Sequence, residues 1–328
     1  MKISSTALAT LALFAAVVNG SPMMRQEGEA SSCTLSGTYK SGTDISSCST
    51  LTIGKLTVPA GVTLDLSKAK TGANIKITGT VTFGQKKWAG PLVLLSGSDL
   101  TVSGTGTLDG QGSWYWKQGQ SITRPIFFRM NRVTDSTVSG FMLKNMPYRI
   151  FSILNSKKTT ISGLTLDASA GNNLAKNTDG FDLSGNDGVT ISNNKIYNQD
   201  DLNSADTVSG LTVKGNTIIN SVNGLRIKTI VDLKGLVSNV KYTDNKLSNV
   251  KNAIVIHSDY SKSKGGYTGK ATSAVNIKGI TISGLSGTAT NLYDIVANSK
   301  VVSEWSFSGI TVKASKTGKC SGQPSTVK

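Results

Sequence analysis

Val189-Thr190-Ile191-Ser192-Asn193-Asn194 is answered twenty-two residues later by Leu211-Thr212-Val213-Lys214-Gly215-Asn216. In each stretch apolar and polar residues alternate with the period of a strand that has one buried face, and the Gly or Asn that follows supplies a corner at positive φ. The phrase recurs along most of the chain, centred on Ile53, Ile77, Val102, Val138, Ile161, Ile191, Val213, Tyr242, Ile277 and Phe307, at separations of 22 to 36 residues. A floor near 22 with occasional excess is what stacked coils joined by loops of variable length produce. The spacing predicts an all-β, single-domain solenoid of about ten coils, with Asn193, Asn194, Asn216 and Asn245 stacked in ladders. Helix signals are weak throughout. The short helix expected is an N-terminal cap over the first coil, because an open coil edge invites aggregation.

Composition agrees with that reading. Nothing in the 328 residues resembles a linker, Gly is abundant at 35, and an apolar content of 38% suffices for a thin column of core. Met1-Lys2-Ile3, the apolar run from Ala7 to Val18 and Asn19-Gly20-Ser21 form a secretory signal over residues 1–20. The run is too short to span a bilayer, so the mature protein is expected to be secreted, extracellular and free of the membrane. Residues 21–32, with Arg25, Glu27 and Glu29, read as a pro-segment or a loose terminus, and residues 33–328 as the β-helix domain. Cys33 and Cys48, fifteen apart at the start of the repeats, are expected to form a disulfide, which leaves Cys320 without a partner. The formal net charge of +16 attracts polyanions. A secreted, aromatic-poor chain without recognition helices argues against nucleic acid; an acidic polysaccharide fits better, and a solvated basic face is the plain alternative.

The chemistry is expected at Asn177-Thr178-Asp179-Gly180-Phe181-Asp182 and at Asp200-Asp201, which follows Asp179 by twenty-one residues. Residues one coil apart lie in stacked strands about 4.8 Å apart, so Asp179 is expected beside Asp200 and Asp201. Carboxylates that close divide their protonation states, which suits acid–base hydrolysis of a glycosidic bond. The same residues are also ordinary turn formers. Adjacent Asp200 and Asp201 both reach one cleft only through a local bulge or turn. Arg226 and Lys228, two apart on one strand, face the same side. Two long loops carry Trp114, Tyr115, Trp116, Arg124 and Arg129, and Lys262 to Tyr267; their aromatics serve either as groove walls or as loop anchors. The single histidine, His257, beside a loop, is expected to be a solvated surface residue.

Asn177-Thr178-Asp179, Asp200-Asp201 and Arg226-Ile227-Lys228, in that order, resemble the polygalacturonases, the family 28 glycoside hydrolases. The resemblance runs from about Cys33 to Cys320 and implies a right-handed parallel β-helix of the pectin-lyase type. It also implies inverting endo-type cleavage of α-1,4-linked galacturonan in plant cell-wall pectin, with no cofactor and no metal. On it, Asp200 is the general acid, Asp179 and Asp201 activate the water, and Arg226 and Lys228 bind substrate carboxylates. Asn177 orients the site and Tyr260 lines the cleft. Plant polygalacturonase-inhibiting proteins become candidate partners of a monomer. A pectate lyase would need Ca²⁺ held by carboxylates and a basic residue as base, and the Asn-Thr-Asp and Asp-Asp pattern matches the hydrolase instead.

One departure falls inside the site. Family members carry a further coil between the Asp pair and the Arg-Ile-Lys strand, with a Gly-His-Gly turn and two cysteines. Here Arg226 follows Asp201 by only twenty-five residues, room for one coil where the family needs two. The chain is therefore expected to be one coil shorter than the family and impaired as an enzyme, or the product of a misassembled gene. A non-catalytic pectate-binding or inhibitor-decoy solenoid, and an adhesive one, are the alternatives.

Overall fold

The computed structural model describes residues 31–172, 174–199, 203–205 (as backbone) and 207–327. The signal segment, most of the 21–32 segment, Asp200 and Asp201 lie outside the described residues. From Ser32 onward the chain winds as a parallel β-helix, each turn laying strands onto those of the turn before. Parallel strands joined by such crossovers take the right-handed course.

One ladder runs Leu51, Ile75, Val102, Val138, Ile161, Ile191, Val213, Tyr242, Ile282 and Phe307, ten rungs in register. The expected column differs from it at its two ends. Ile77 pairs with Ile53 but faces Gly104, and Ile277 faces Val237, while Tyr242 faces Ile282. Ile75 and Ile77 are two apart on one strand and so face the same side, whereas Ile277 and Ile282 are five apart, on either side of the corner at Gly279, and both are buried. Nearly all of these apolar side chains are fully buried, and the core is one column from Tyr39 to Val327.

The corners follow the sequence. Asn193 and Gly215 both sit in the left-handed region, at φ 55° and 65°. The next residue turns its amide inward: Asn194 Oδ1 accepts from Leu164 N, Asn216 Oδ1 from Asn194 N, and Asn245 Oδ1 from Asn216 N, at 2.9, 3.0 and 3.1 Å. Their Nδ2 groups donate to Ile161 O, Ile191 O and Val213 O. Asn193 serves the corner and stands outside this ladder.

The expected disulfide is present, Cys33 to Cys48, with Cα atoms 5.7 Å apart. The strand Ser32–Thr38 forms the first edge; residues before Ser31, where a cap helix would fall, lie outside the described ones. Among the described residues the α-helix is Gly112–Trp116, inside the first long loop. There Tyr115 and Trp116 are buried and Trp116 Nε1 donates to Met146 O at 3.0 Å, so these two aromatics anchor the loop.

A second ladder frames the cleft. Leu64–Leu66, Val93–Ser98, Phe128–Thr134, Phe151–Leu154, Phe181–Ser184 and Asn203–Ala205 stack into a six-stranded sheet that ends at Asn203–Ala205. The next strand on that side, Asn223–Ile230, pairs onward with Lys246–Ser261 and belongs to the other sheet. Among the described residues the cleft-side ladder is thus interrupted where the Gly-His-Gly coil was expected to be missing.

Candidate active site

Asp179 ends the loop that leads into Phe181–Ser184. Within that strand Phe181 and Leu183 point to the core, Phe181 stacked on Phe151 at 5.1 Å. Alternation therefore sends Asp182 outward, in register with Ser152 and Arg129. Asp179 is 4% exposed, and its Oδ1 is buried with no hydrogen-bond donor among the described residues.

Thr178 Oγ1 accepts from Gln199 N at 3.0 Å, and Phe181 pairs with Asn203. The described residues on either side of Asp200 and Asp201 thus lie in the layer next to Asp179.

Arg149 is thirty residues before Asp179 and one turn below it: Asp179 O accepts from Ile150 N at 2.8 Å. Arg149 Nε lies 3.1 Å from Asp182 Oδ2. Such a pair alone would pull the Asp182 pKa down. Instead burial, reinforced by the charge of Asp179, pushes it up to about 7 against the pull of Arg149, Lys228 and Arg226. Burial is the largest single influence on Arg149 and works against its charge, but Asp182, Tyr148, Asp179 and Tyr260 together outweigh it and keep the guanidinium pKa raised.

Arg226 and Lys228 sit on Asn223–Ile230, Arg226 7% exposed. Burial, then the neighbouring Arg226 charge, lowers the Lys228 pKa. Lys228 Nζ lies 4.6 Å from the centre of the Tyr260 ring. Asp182, Lys228 and Tyr260 line one cavity of about 220 Å³ with Arg149, Ser152 and Lys262.

Asn177 stands outside that cavity. Its Oδ1 accepts from Arg124 Nη2 at 3.0 Å, and Arg124 and Arg149 both lie over the Tyr148 ring, at 4.8 and 5.2 Å. Asn177 thus connects to the cleft through Arg124, Tyr148 and Arg149.

His257 overturns the surface expectation. It is 3% exposed, with Nδ1 2.7 Å from Asp259 Oδ1 and Nε2 3.1 Å from Asp294 Oδ1. Two carboxylates offset the desolvation of a ring that would otherwise face water.

Sequence reading gave no role to Asp182 or Arg149, and to Tyr267 only the alternatives of groove wall or loop anchor. Asp182 was within the quoted stretch, and alternation from Phe181 would have turned it outward. Arg149 precedes Asp179 by thirty residues, the spacing that also separates Ile161 from Ile191. Tyr267 had no periodic signal, since it sits in a two-residue strand, Gly266–Tyr267, that folds back antiparallel on Tyr260–Ser261 outside the coil repeat.

A buried carboxyl titrating near neutrality, a second buried carboxylate and a wall of cations can hold an anionic ligand and move a proton beside it. The model of the family described as glycosyl hydrolases family 28 matches residues 48–205 and 202–327, meeting where the cleft ladder is interrupted. A probable endopolygalacturonase I of Aspergillus terreus is 37% identical over 339 residues, covering 90% of this chain and 91% of its own. An endo-polygalacturonase of Sclerotinia sclerotiorum is 38% identical over 324 residues, covering 86% and 83%. Among solved structures, endopolygalacturonase I of Stereum purpureum, complexed with two galacturonates, aligns with a TM-score of 0.60 at 25% identity over 86% of this chain and 99% of its own. The endo-xylogalacturonan hydrolase of Aspergillus tubingensis shares the fold, with a TM-score of 0.68 at 24% identity over 90% and 97%. A family match across both halves, with relatives this similar over most of their own length, establishes that the chain belongs to glycosyl hydrolase family 28.

Proposed function

We propose that the protein is a secreted endo-polygalacturonase-type hydrolase of α-1,4-linked galacturonan in plant cell-wall pectin, and that its turnover is impaired. The observation that supports it most is the grouping of Asp179, Asp182, Arg149, Arg226 and Lys228, whose charges act on one another around one cleft. In this reading Asp200 protonates the leaving oxygen while Asp179 and Asp201 take a proton from water on the opposite face of the sugar, as inversion requires. Asp179 Oδ1, buried with no hydrogen-bond donor among the described residues, is the atom that accepts that proton. Arg226 and Lys228 hold uronate carboxylates by charge-assisted hydrogen bonds. Tyr260 forms part of the wall.

Impairment is inferred from the interrupted ladder between Asn203–Ala205 and Asn223–Ile230. Without the coil that carries the Gly-His-Gly turn, Arg226 and Lys228 stand about one layer, ~4.8 Å, nearer the aspartates than in the family. Displacements near 1 Å already cost on the order of 100-fold in rate.

A reducing-end assay on polygalacturonic acid tests both parts. Slow release that rises when the missing coil is inserted after Ala205 supports them; release at the rate of the Sclerotinia sclerotiorum endo-polygalacturonase, assayed alongside, refutes impairment. The second reading, a non-catalytic galacturonan-binding solenoid that also occupies plant polygalacturonase-inhibiting proteins, is favoured by the same interruption. Capture of pectate with no product, unchanged by Asp200→Asn, would select it. The expected form is a monomer of one β-helix domain, processed after Gly20; sedimentation and N-terminal sequencing of the secreted protein check both.

A further inference from the structure

The His257 cluster is not used by the chemistry above, yet it reaches one of its residues. Lys228 pairs with His257 but Ile230 pairs with Tyr260, so the Lys246–Ser261 strand holds one extra residue there. Such a bulge re-aims side chains. Asp259 then divides its two oxygens: Oδ1 takes His257 Nδ1 at 2.7 Å, and Oδ2 accepts from Gly269 N at 2.9 Å. Asp259 O accepts from Thr268 N at 2.8 Å as well. One residue therefore keys both the imidazole and the loop that carries Tyr267.

The far side of the ring is held too. Nε2 lies 3.1 Å from Asp294 Oδ1, on the strand one layer on. Carboxylates at both nitrogens fix the plane of the imidazole. Tyr267 stacks on that ring with centroids 3.9 Å apart and planes at 26°, one aromatic face on the other. The Tyr267 hydroxyl in turn accepts from Arg226 Nη2 at 2.6 Å. The chain of contacts runs carboxylate, imidazole, phenol, guanidinium.

We infer that His257 is a positioning residue: it holds Tyr267 in place, and Tyr267 sets the orientation in which Arg226 meets a uronate carboxylate. This rests on the reading of Arg226 as a carboxylate-binding residue. Arg226 is fixed before the substrate arrives, so less side-chain freedom is lost on binding. A purely packing role for His257 would stabilise the loop without distinguishing a charged sugar from a neutral one.

That difference supplies the test. Binding of trigalacturonate and of its methyl ester is measured calorimetrically on the full mature chain, its Arg226→Ala, His257→Gln and Tyr267→Phe variants, with the melting temperature of each. Expected is a loss of roughly tenfold in affinity for the acid in His257→Gln and Tyr267→Phe, the size of one charge-assisted hydrogen bond, against less than about twofold for the ester. Tyr267→Phe removes one oxygen from a half-exposed ring, so it decides the matter even if His257→Gln unfolds. If Arg226→Ala weakens acid binding while Tyr267→Phe leaves the acid-to-ester ratio unchanged, the inference is overturned and the role of Arg226 stands. If Arg226→Ala changes nothing, the role of Arg226 fails and the inference with it.

Discussion

At Asp182 two opposing fields meet, and the outcome has a sign. Its pKa stands at about 7, against 3.8 for a free side chain, so the folded protein holds that proton more tightly than the unfolded chain. Its ionisation therefore costs stability as pH rises from about 4 to about 7 and costs no more beyond that, an effect on the order of a few kcal/mol. Asp182→Asn should remove this dependence, and melting temperatures of both proteins at pH 4.5 and 7.5 check it: the wild type loses more on going up. Spacing put Arg226 and Lys228 on one side of a strand, while Tyr260 was reached only through the family resemblance. His257 could be placed by neither, because its burial depends on Asp294, which lies thirty-seven residues away on a separate strand. A lone histidine carries no pattern from which such a partner can be read.

Among the elements, the asparagine rungs were visible as residue type and position, and the structure adds what they hold. Asn216 both accepts from Asn194 and donates to Ile191 O and Asn245 Oδ1, all buried. Asn216→Ala strands the Asn194 amide and the Ile191 carbonyl, so a loss of about 2–4 kcal/mol is expected in urea denaturation. The disulfide acts at the first edge, where only one neighbour supports a strand. Closing a 15-residue separation restrains the unfolded chain by about 3 kcal/mol at most. Cys33→Ser should therefore release residues near Ser32–Thr38 to protease before the rest of the molecule melts. The column misread its pairings at Ile77 and Ile277 because each coil there offers two inward apolar positions, two apart on one strand at Ile75 and Ile77 and on either side of a corner at Ile277 and Ile282, and alternation alone does not say which of them meets the next rung.

For the whole molecule, ten similar layers made the solenoid legible, since each repeat states the same fold again. What a single repeat cannot state is how many repeats a cleft needs, so the interruption had to be inferred from distance between motifs. Thirty-five basic against nineteen acidic residues give a field that salt screens. Retention on immobilised polygalacturonate should weaken on the order of tenfold or more between 50 and 500 mM salt, as elution profiles would register; retention indifferent to salt would remove charge as the cause. The amide rung from Asn216 to Asn245 crosses the same two layers whose cleft-side strands fail to pair. Among the described residues the solenoid is thus sewn along its spine while two neighbouring strands at its fore-edge lie side by side unstitched, like a book from which a leaf can be drawn without disturbing the binding. Native-state hydrogen exchange should trace that asymmetry, with the amides of Leu164, Asn194 and Asn216 outlasting those of Asn203–Ala205.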